Sequence, residues 1–317
     1  NKLLRIHSIM VTDPNRIFKH AIVTGATGIV GVPLCRALVD GGVKVTAFSR
    51  SEGEYGLSDR VEHSIGSILD VTALGGAAKD ADVIFHVAAA VHGSAKTYSE
   101  FERMNVDGTA NVIRVAREIG AKLVHVSSVN VAGFRAGELN DAYAATKSKA
   151  EELVAEAAGN GLDAVIVRPA TVFGNEVGRA GLIVDRVLAG SLRVLPAPSR
   201  LISPVWSGDL AVALVLAAEV GQPGNTYTVA GPTLSTGDFV RAMCKSGGFR
   251  RPLISIPSWI FAAPLQVMWW GKGVTRWTPP VSVESLLHGS THDGMDAAQE
   301  LGYEYTPIDR IFGGFED

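Results

Sequence analysis

From His20 onward, short runs of apolar residues alternate with helix-length segments in which apolar positions recur every three or four residues. The short runs predict strands at Ala21–Thr24, Lys44–Phe48, Val61–Ile65, Val83–Val87, Lys122–Val126 and Ala164–Arg168. Mostly continuous apolar runs of this kind suit strands covered on both faces of a parallel sheet. The longer segments predict helices, best marked at Val32–Val39, Phe101–Ile119 and Ala142–Ala158. Strand and helix in alternation are βαβ units, and right-handed crossovers wind them into a doubly wound α/β sheet. The rhythm loosens after Pro169, where Gly174, Gly178, Gly181, Pro196 and Pro198 interrupt it and isolated helices are expected at Asp209–Val220 and Thr236–Lys245.

Composition narrows the class. With 317 residues, 47% hydrophobic and 19% charged, the chain can bury a large core and does not read as disordered. Twenty-nine basic against 32 acidic residues leave a net charge of −3, so nucleic acid is not an expected partner. Cys35 and Cys244 are the only cysteines and suggest neither a metal clip nor a disulfide framework, which fits the cytoplasm. No stretch reaches the roughly 20 apolar residues of a membrane span. Lys2, Arg5, Asp13 and Arg16 interrupt the first 18 residues too often for a signal peptide.

The candidate chemistry begins in the turn after the first strand, Thr24-Gly25-Ala26-Thr27-Gly28-Ile29-Val30-Gly31. Gly25 permits a tight turn, Gly28 lets the backbone approach a pyrophosphate, and Gly31 allows close packing at the start of the helix. The helix then offers free N–H groups and the positive end of its dipole to the phosphates. The second strand ends at Phe48-Ser49-Arg50. A carboxylate there would bind the adenosine ribose of NAD, whereas the Arg50 guanidinium suits the 2′-phosphate of NADP. NADP(H) is therefore favoured, with NAD(H) as the alternative. The expected organisation is an N-terminal extension (1–18), a Rossmann-type NAD(P)-binding domain (19–174) and a smaller C-terminal substrate lobe (175–317), some segments of which return to the Rossmann body.

Tyr143 and Lys147 stand i, i+4 on a helical segment and share one face. An ammonium near a phenol favours the phenolate and brings an acid with pKa about 10 nearer its working range. Ser127 and Ser128 follow the fifth strand at its C-terminal end, where ligands bind in such sheets.

With these residues in place, the chain resembles the extended short-chain dehydrogenase/reductase family over nearly its whole length. Thr24–Gly31 matches the family's TGxxGxxG loop, His86-Val-Ala-Ala the turn after the fourth strand, and Asn105-Val-Asp-Gly-Thr-Ala-Asn the central helix. Val126-Ser-Ser resembles the catalytic-serine turn, with Ser128 the aligned serine. Tyr143 and Lys147 match YxxxK, Arg168-Pro-Ala-Thr-Val-Phe-Gly matches RPxxVYG, and Val205–Ala211 resembles a segment of the substrate lobe. Ile256-Pro-Ser-Trp and the Glu300-Leu-Gly-Tyr ending look most like the 3β-hydroxysteroid dehydrogenase and dihydroflavonol reductase branch. The resemblance implies that Ser128 and Tyr143 bind a substrate carbonyl. Lys147 would then hold the nicotinamide ribose and lower the tyrosine pKa, and Asn105 would place a relay water. It implies further cofactor contacts from Thr27, Ile29, Val30, Ser67, Ile68, Ala88, Ala89, Pro169 and Val172, and a homodimer through the helices Phe101–Ile119 and Ala142–Ala158. Two departures stand out: Ser67 replaces an adenine-binding Asp, and Thr171 replaces an Asn common in nucleotide-sugar enzymes.

Three functions follow: a ketoreductase or alcohol dehydrogenase acting on an apolar small molecule, a nucleotide-sugar epimerase or dehydratase, and a non-catalytic NADP-binding regulator. The presence of Ser128, Tyr143 and Lys147 argues against the third. Arg179, Arg186, Arg193 and Arg200 keep the second open, as bases for a diphosphate. The tryptophan-rich stretch Leu253–Trp277, with Trp259, Phe261, Trp269, Trp270 and Trp277, reads as lobe core, as a lid over an apolar ligand or as an interfacial helix; its few cations disfavour the last. His86 and His125 read as core histidines. His288 and His292, though i, i+4, have no further ligands in the sequence pattern, so no metal is expected.

Overall fold

The computed structural model describes residues 17–51, 60–95, 97–139, 141–174, 182–249, 252, 254–257, 260 and 290–312. The expectations for residues 1–16, for Arg179 and His288, and for Trp259, Phe261, Trp269, Trp270 and Trp277 concern positions outside these.

Seven strands form one wholly parallel sheet: β1 (His20–Thr24), β2 (Lys44–Ser49), β3 (Val61–Ile65), β4 (Val83–His86), β5 (Lys122–Val126), β6 (Ala164–Pro169) and β7 (Thr226–Val229). Their order, β3-β2-β1-β4-β5-β6-β7, is that of a doubly wound dinucleotide-binding fold extended by one strand. The inner strands are apolar on both sides because both sides are covered, whereas the edge strand β3 is largely polar and exposed. Val23, Phe85, Val124 and Val165 enter one core with helices α1 (Gly31–Asp40) and α8 (Ser207–Val220). Ile22, Ile84, Leu123 and Ile166 enter the other, with α2 (Val71–Ala77), α4 (Gly108–Ile119) and α6 (Ala142–Gly159).

The sequence pattern reads Phe101–Ile119 as one helix, and the structure divides it. A short α3 (Tyr98–Glu102) runs into a π-helical turn at Arg103–Asp107 before α4 begins. An extra residue in one turn leaves the apolar spacing nearly intact, so periodicity does not reveal it, and such turns collect at functional sites.

Beyond β6, short strand pairs join Val172–Phe173 to Val205–Trp206, Leu201–Ile202 to Leu234–Ser235, and Val194–Pro196 to Ile254–Ile256. A third core forms here around Phe173, Val187, Leu195, Phe239 and Met243. The chain returns to the sheet through α8 and β7. Among the described residues, no helix is long and apolar enough to cross a membrane.

Candidate active site

All seven strands run the same way, so the turns that follow them meet at one edge of the sheet. Gly25 sits there with φ +70°, and a Cβ on it would come within 2.7 Å of the Ala88 backbone nitrogen after β4. Its N–H donates to the Phe48 carbonyl near the end of β2 at 3.0 Å. A Cβ on Gly31 would collide with the backbone of Gly25 and Ala26. Gly28 is exposed at the mouth of α1. At Gly25 and Gly31 this turn has no room for a side chain, and it leaves a helix N-terminus open, which fits a dinucleotide pyrophosphate. Thr27, Ile29 and Val30 belong to the same turn, and Arg50 stands exposed one residue beyond β2. Ser67 Oγ accepts from Leu69 N–H at 3.2 Å within its own turn, Pro169 closes β6, and Val172 pairs with Val205.

The central helix clamps these turns. The buried Asn105 accepts from Ala90 N–H at 2.7 Å and donates to the Ala90 carbonyl at 3.2 Å and to Thr146 Oγ1 at 3.1 Å. Its amide is thus committed to the strand exit beside Ala88 and Ala89 and to the helix carrying Tyr143. The π-turn aims this amide at Ala90, so Asn105 holds the scaffold of the site together. Gly108 lets α4 approach Ile68, where a Cβ would collide, and Asn111 donates to the Ile68 carbonyl at 3.0 Å.

His86 is part of the same clamp. Thr109 gives its hydroxyl proton to the Asn105 carbonyl at 2.6 Å, so its oxygen is left to accept from His86 Nε2–H at 3.0 Å. His86 Nδ1 then accepts from the Thr24 hydroxyl at 2.9 Å, and Thr24 Oγ1 accepts from Ala88 N–H at 3.2 Å. Burial, with Lys147 adding to it, pushes the His86 pKa down to about 3 and keeps the ring neutral. The histidine is a structural link between β1, β4 and α4.

The structure brings Ser128 near the Tyr143 phenol at the end of β5, close enough to oppose part of the rise in the phenol's pKa. Asp141 caps α6 by accepting from Tyr143 N–H at 3.2 Å and Ala144 N–H at 3.4 Å. Lys147 is fully buried on the expected face, but its ammonium points at the strand. It donates to the Val126 carbonyl at 2.7 Å and to His125 Nε2 at 3.4 Å. The phenol therefore gains no acidity from the lysine here. Burial pushes Tyr143 up to about 12, with Ser128 opposing and Asp141 reinforcing the rise. Burial also brings Lys147 down to about 8, against the pull of Glu151. His125, held well below its usual range by burial, Lys147 and His86, stays neutral, and its Nδ1 finds no hydrogen-bond partner among the described residues.

Several residues of the site escaped the sequence reading. Asp141 carries a readable signal, a carboxylate one residue before the helix. Glu151 stands i+4 from Lys147, is 2% exposed and pairs with Arg168 at 2.6 Å and Arg135 at 3.2 Å. His92 pairs with Asp141 at 3.2 Å and lies against the Tyr143 ring; no local spacing announces it.

Known proteins agree with this architecture. The chain is 28% identical over 305 residues to sterol demethylase protein B of Methylococcus capsulatus, covering 89% of this chain and 92% of that protein. It is 29% identical over 306 residues to a Stigmatella aurantiaca ketoreductase acting on a farnesylated dihydroquinoline oxide, covering 89% and 90%. A 3β-hydroxysteroid dehydrogenase/Δ5→4-isomerase of Mycobacterium tuberculosis is 27% identical over 318 residues, covering 89% and 85%. Among solved structures, UDP-glucose 4-epimerase of Thermotoga maritima superposes with a TM-score of 0.74 at 18% identity, over 93% of this chain and 96% of that one. Since residues 21–230, from β1 through the end of β7, match the NAD dependent epimerase/dehydratase family, the chain belongs to that family of enzymes and is an oxidoreductase of its extended short-chain dehydrogenase/reductase branch.

Proposed function

We propose that the protein is a ketoreductase, interconverting a ketone and a secondary alcohol on an apolar steroid-like, aromatic or acyl-type small molecule, with NADP(H) favoured over NAD(H). The approach of the Ser128 hydroxyl to the Tyr143 phenol after β5 carries this reading. Two hydroxyls at one strand end can grip a carbonyl oxygen, and a phenol held at about 12 keeps the proton that reduction requires. Tyr143 gives that proton to the carbonyl oxygen while Ser128 steadies the charge developing there. Lys147 is the residue to bind the nicotinamide-side ribose. The bound nicotinamide supplies the hydride. The relatives named for ketone and steroid chemistry support an apolar substrate. The test is turnover of steroid, aryl and 3-oxoacyl ketones beside UDP- and dTDP-sugars; activity confined to the sugars transfers the site to the epimerase reading. The proposal includes a cytoplasmic homodimer built on α4 and α6, whose mass light scattering measures.

Arg50 is the proposed reader of the 2′-phosphate, placed beyond β2 where Phe48 meets Gly25. A charge-assisted contact is worth about 1.5–3 kcal/mol, roughly ten- to a hundredfold in affinity. Titration of both cofactors is expected to show tighter NADP binding in the wild type and near parity in Arg50→Ala. A preference that survives the substitution removes Arg50 from the role.

A further inference from the structure

Asp141 sets a problem for the tyrosine it supports. As the N-cap of α6 its carboxylate is fixed two residues before Tyr143, and its charge opposes formation of a phenolate. On the opposite side, the segment after β4 folds into a closed turn. Ser94 N–H donates to the Val91 carbonyl at 2.9 Å, and Val91 N–H donates to Ser94 Oγ at 2.8 Å. This turn presents His92, half-buried, with Nε2 3.2 Å from Asp141 Oδ2 and its ring centroid 5.5 Å from that of Tyr143. Phe101 of α3 closes the group, 6.1 Å from His92 and 6.4 Å from Tyr143.

We infer that His92 is a positioning residue for Tyr143: as an imidazolium bound to Asp141, it offsets that carboxylate and stabilises the negative charge left on the phenol oxygen once the proton has passed to the substrate. This rests on the ketoreductase reading. The charged groups around His92 bear the pairing out. From α6 it faces Asp141 and Tyr143. From α3 it faces Phe101, while Glu100 closes the capping box on Thr97 and Glu102 pairs with Lys149 at 2.7 Å. The Asp141 hydrogen bond raises the His92 pKa, partly opposed by burial, so the cation persists to higher pH than on a free histidine and is lost as pH rises further. An opposite charge at this range moves a titrating group by roughly one unit or more, so removing the cation is expected to cost about tenfold in rate.

The experiment is ketone reduction by wild type and His92→Gln across pH 6 to 9, with melting temperatures taken alongside. Glutamine keeps a hydrogen bond to Asp141 without the charge. The expected result is a kcat about tenfold lower for the variant at pH 6, a gap that closes above pH 8, and an unchanged KM for the cofactor. A deficit equal at every pH, or none, overturns the inference and returns His92 to a packing role. A second readout needs no turnover: the NMR titration of His92, assigned by its loss in the variant, is expected to move to lower pH in Asp141→Asn, which still caps the helix. An unmoved midpoint also overturns it. If the wild type reduces no ketone, the ketoreductase reading itself fails, and the inference falls with it.

Discussion

Tyr143→Phe is expected to lower ketone reduction by about 10²-fold or more, equivalent to about 2.7 kcal/mol of barrier, while cofactor affinity stays close to wild type. The substitution removes one oxygen and leaves the ring between His92 and Phe101, so the fold is expected to persist. What disappears is the proton. Burial pushes the phenol up to about 12, so at neutral pH Tyr143 is an acid that holds its proton until a carbonyl oxygen begins to gather charge. The pH profile follows from its neighbour: Lys147, brought down to about 8 by burial, is a cation below that pH and loses its charge above it. Wild-type reduction is therefore expected to decline above about pH 8 as Lys147 loses its charge, and the residual activity of the variant, which keeps Lys147, to decline over the same range. Single-turnover kinetics, with cofactor binding followed separately, distinguish chemistry from binding. A Phe variant within a few-fold of wild type takes Tyr143 out of the mechanism.

The sheet was legible because its physics is periodic. Strands covered on both faces must be apolar at successive positions, and β1, with every residue from His20 to Thr24 buried, shows that signature directly. The glycine turn was legible for a different reason. At Gly25 the left-handed backbone and the contact with Ala88 exclude any side chain, so the constraint is written in the residue type. The grouping of Ser128 with Tyr143 rested on resemblance, since the two lie 15 positions apart and approach each other only beyond the end of β5.

What stayed hidden depended on direction and not on residue type. Asn105 and Lys147 were both singled out, yet a π-turn aims the first at Ala90, and a backbone carbonyl draws the second toward Val126. Spacing places a side chain on a helix face; it does not say which of the acceptors within reach the side chain takes. His92 illustrates the limit. Its significance comes from Asp141, 49 positions later, and no local pattern links the two.

The largest stability effect is expected at Glu151, the carboxylate that anchors the helix carrying Tyr143 and Lys147. It is 2% exposed and receives two guanidinium bonds from Arg168, at 2.8 and 2.6 Å, with Arg135 at 3.2 Å on the same carboxylate. These contacts join α6 to β6 and to the short helix Asn130–Arg135 (α5) after the Ser128 turn. Such a pair adds little over a well-packed apolar substitute, because both ions were taken from water. Removing one member is different: Glu151→Ala strands the Arg168 guanidinium, 19% exposed, without its counterion, and is expected to cost about 3–5 kcal/mol in denaturant unfolding. The double variant Glu151→Met, Arg168→Met is expected to recover part of that loss by leaving no stranded charge at Arg168. Stability equal to wild type in Glu151→Ala, or losses that simply add in the double variant, contradicts the assignment of Glu151 as the counterion that fixes α6. Because Glu151 lies one turn beyond Lys147 and opposes the downward shift of its pKa, the single variant is also expected to move the alkaline decline of activity to lower pH. That second readout separates a helix that has merely loosened from one in which the charge network reaches the lysine.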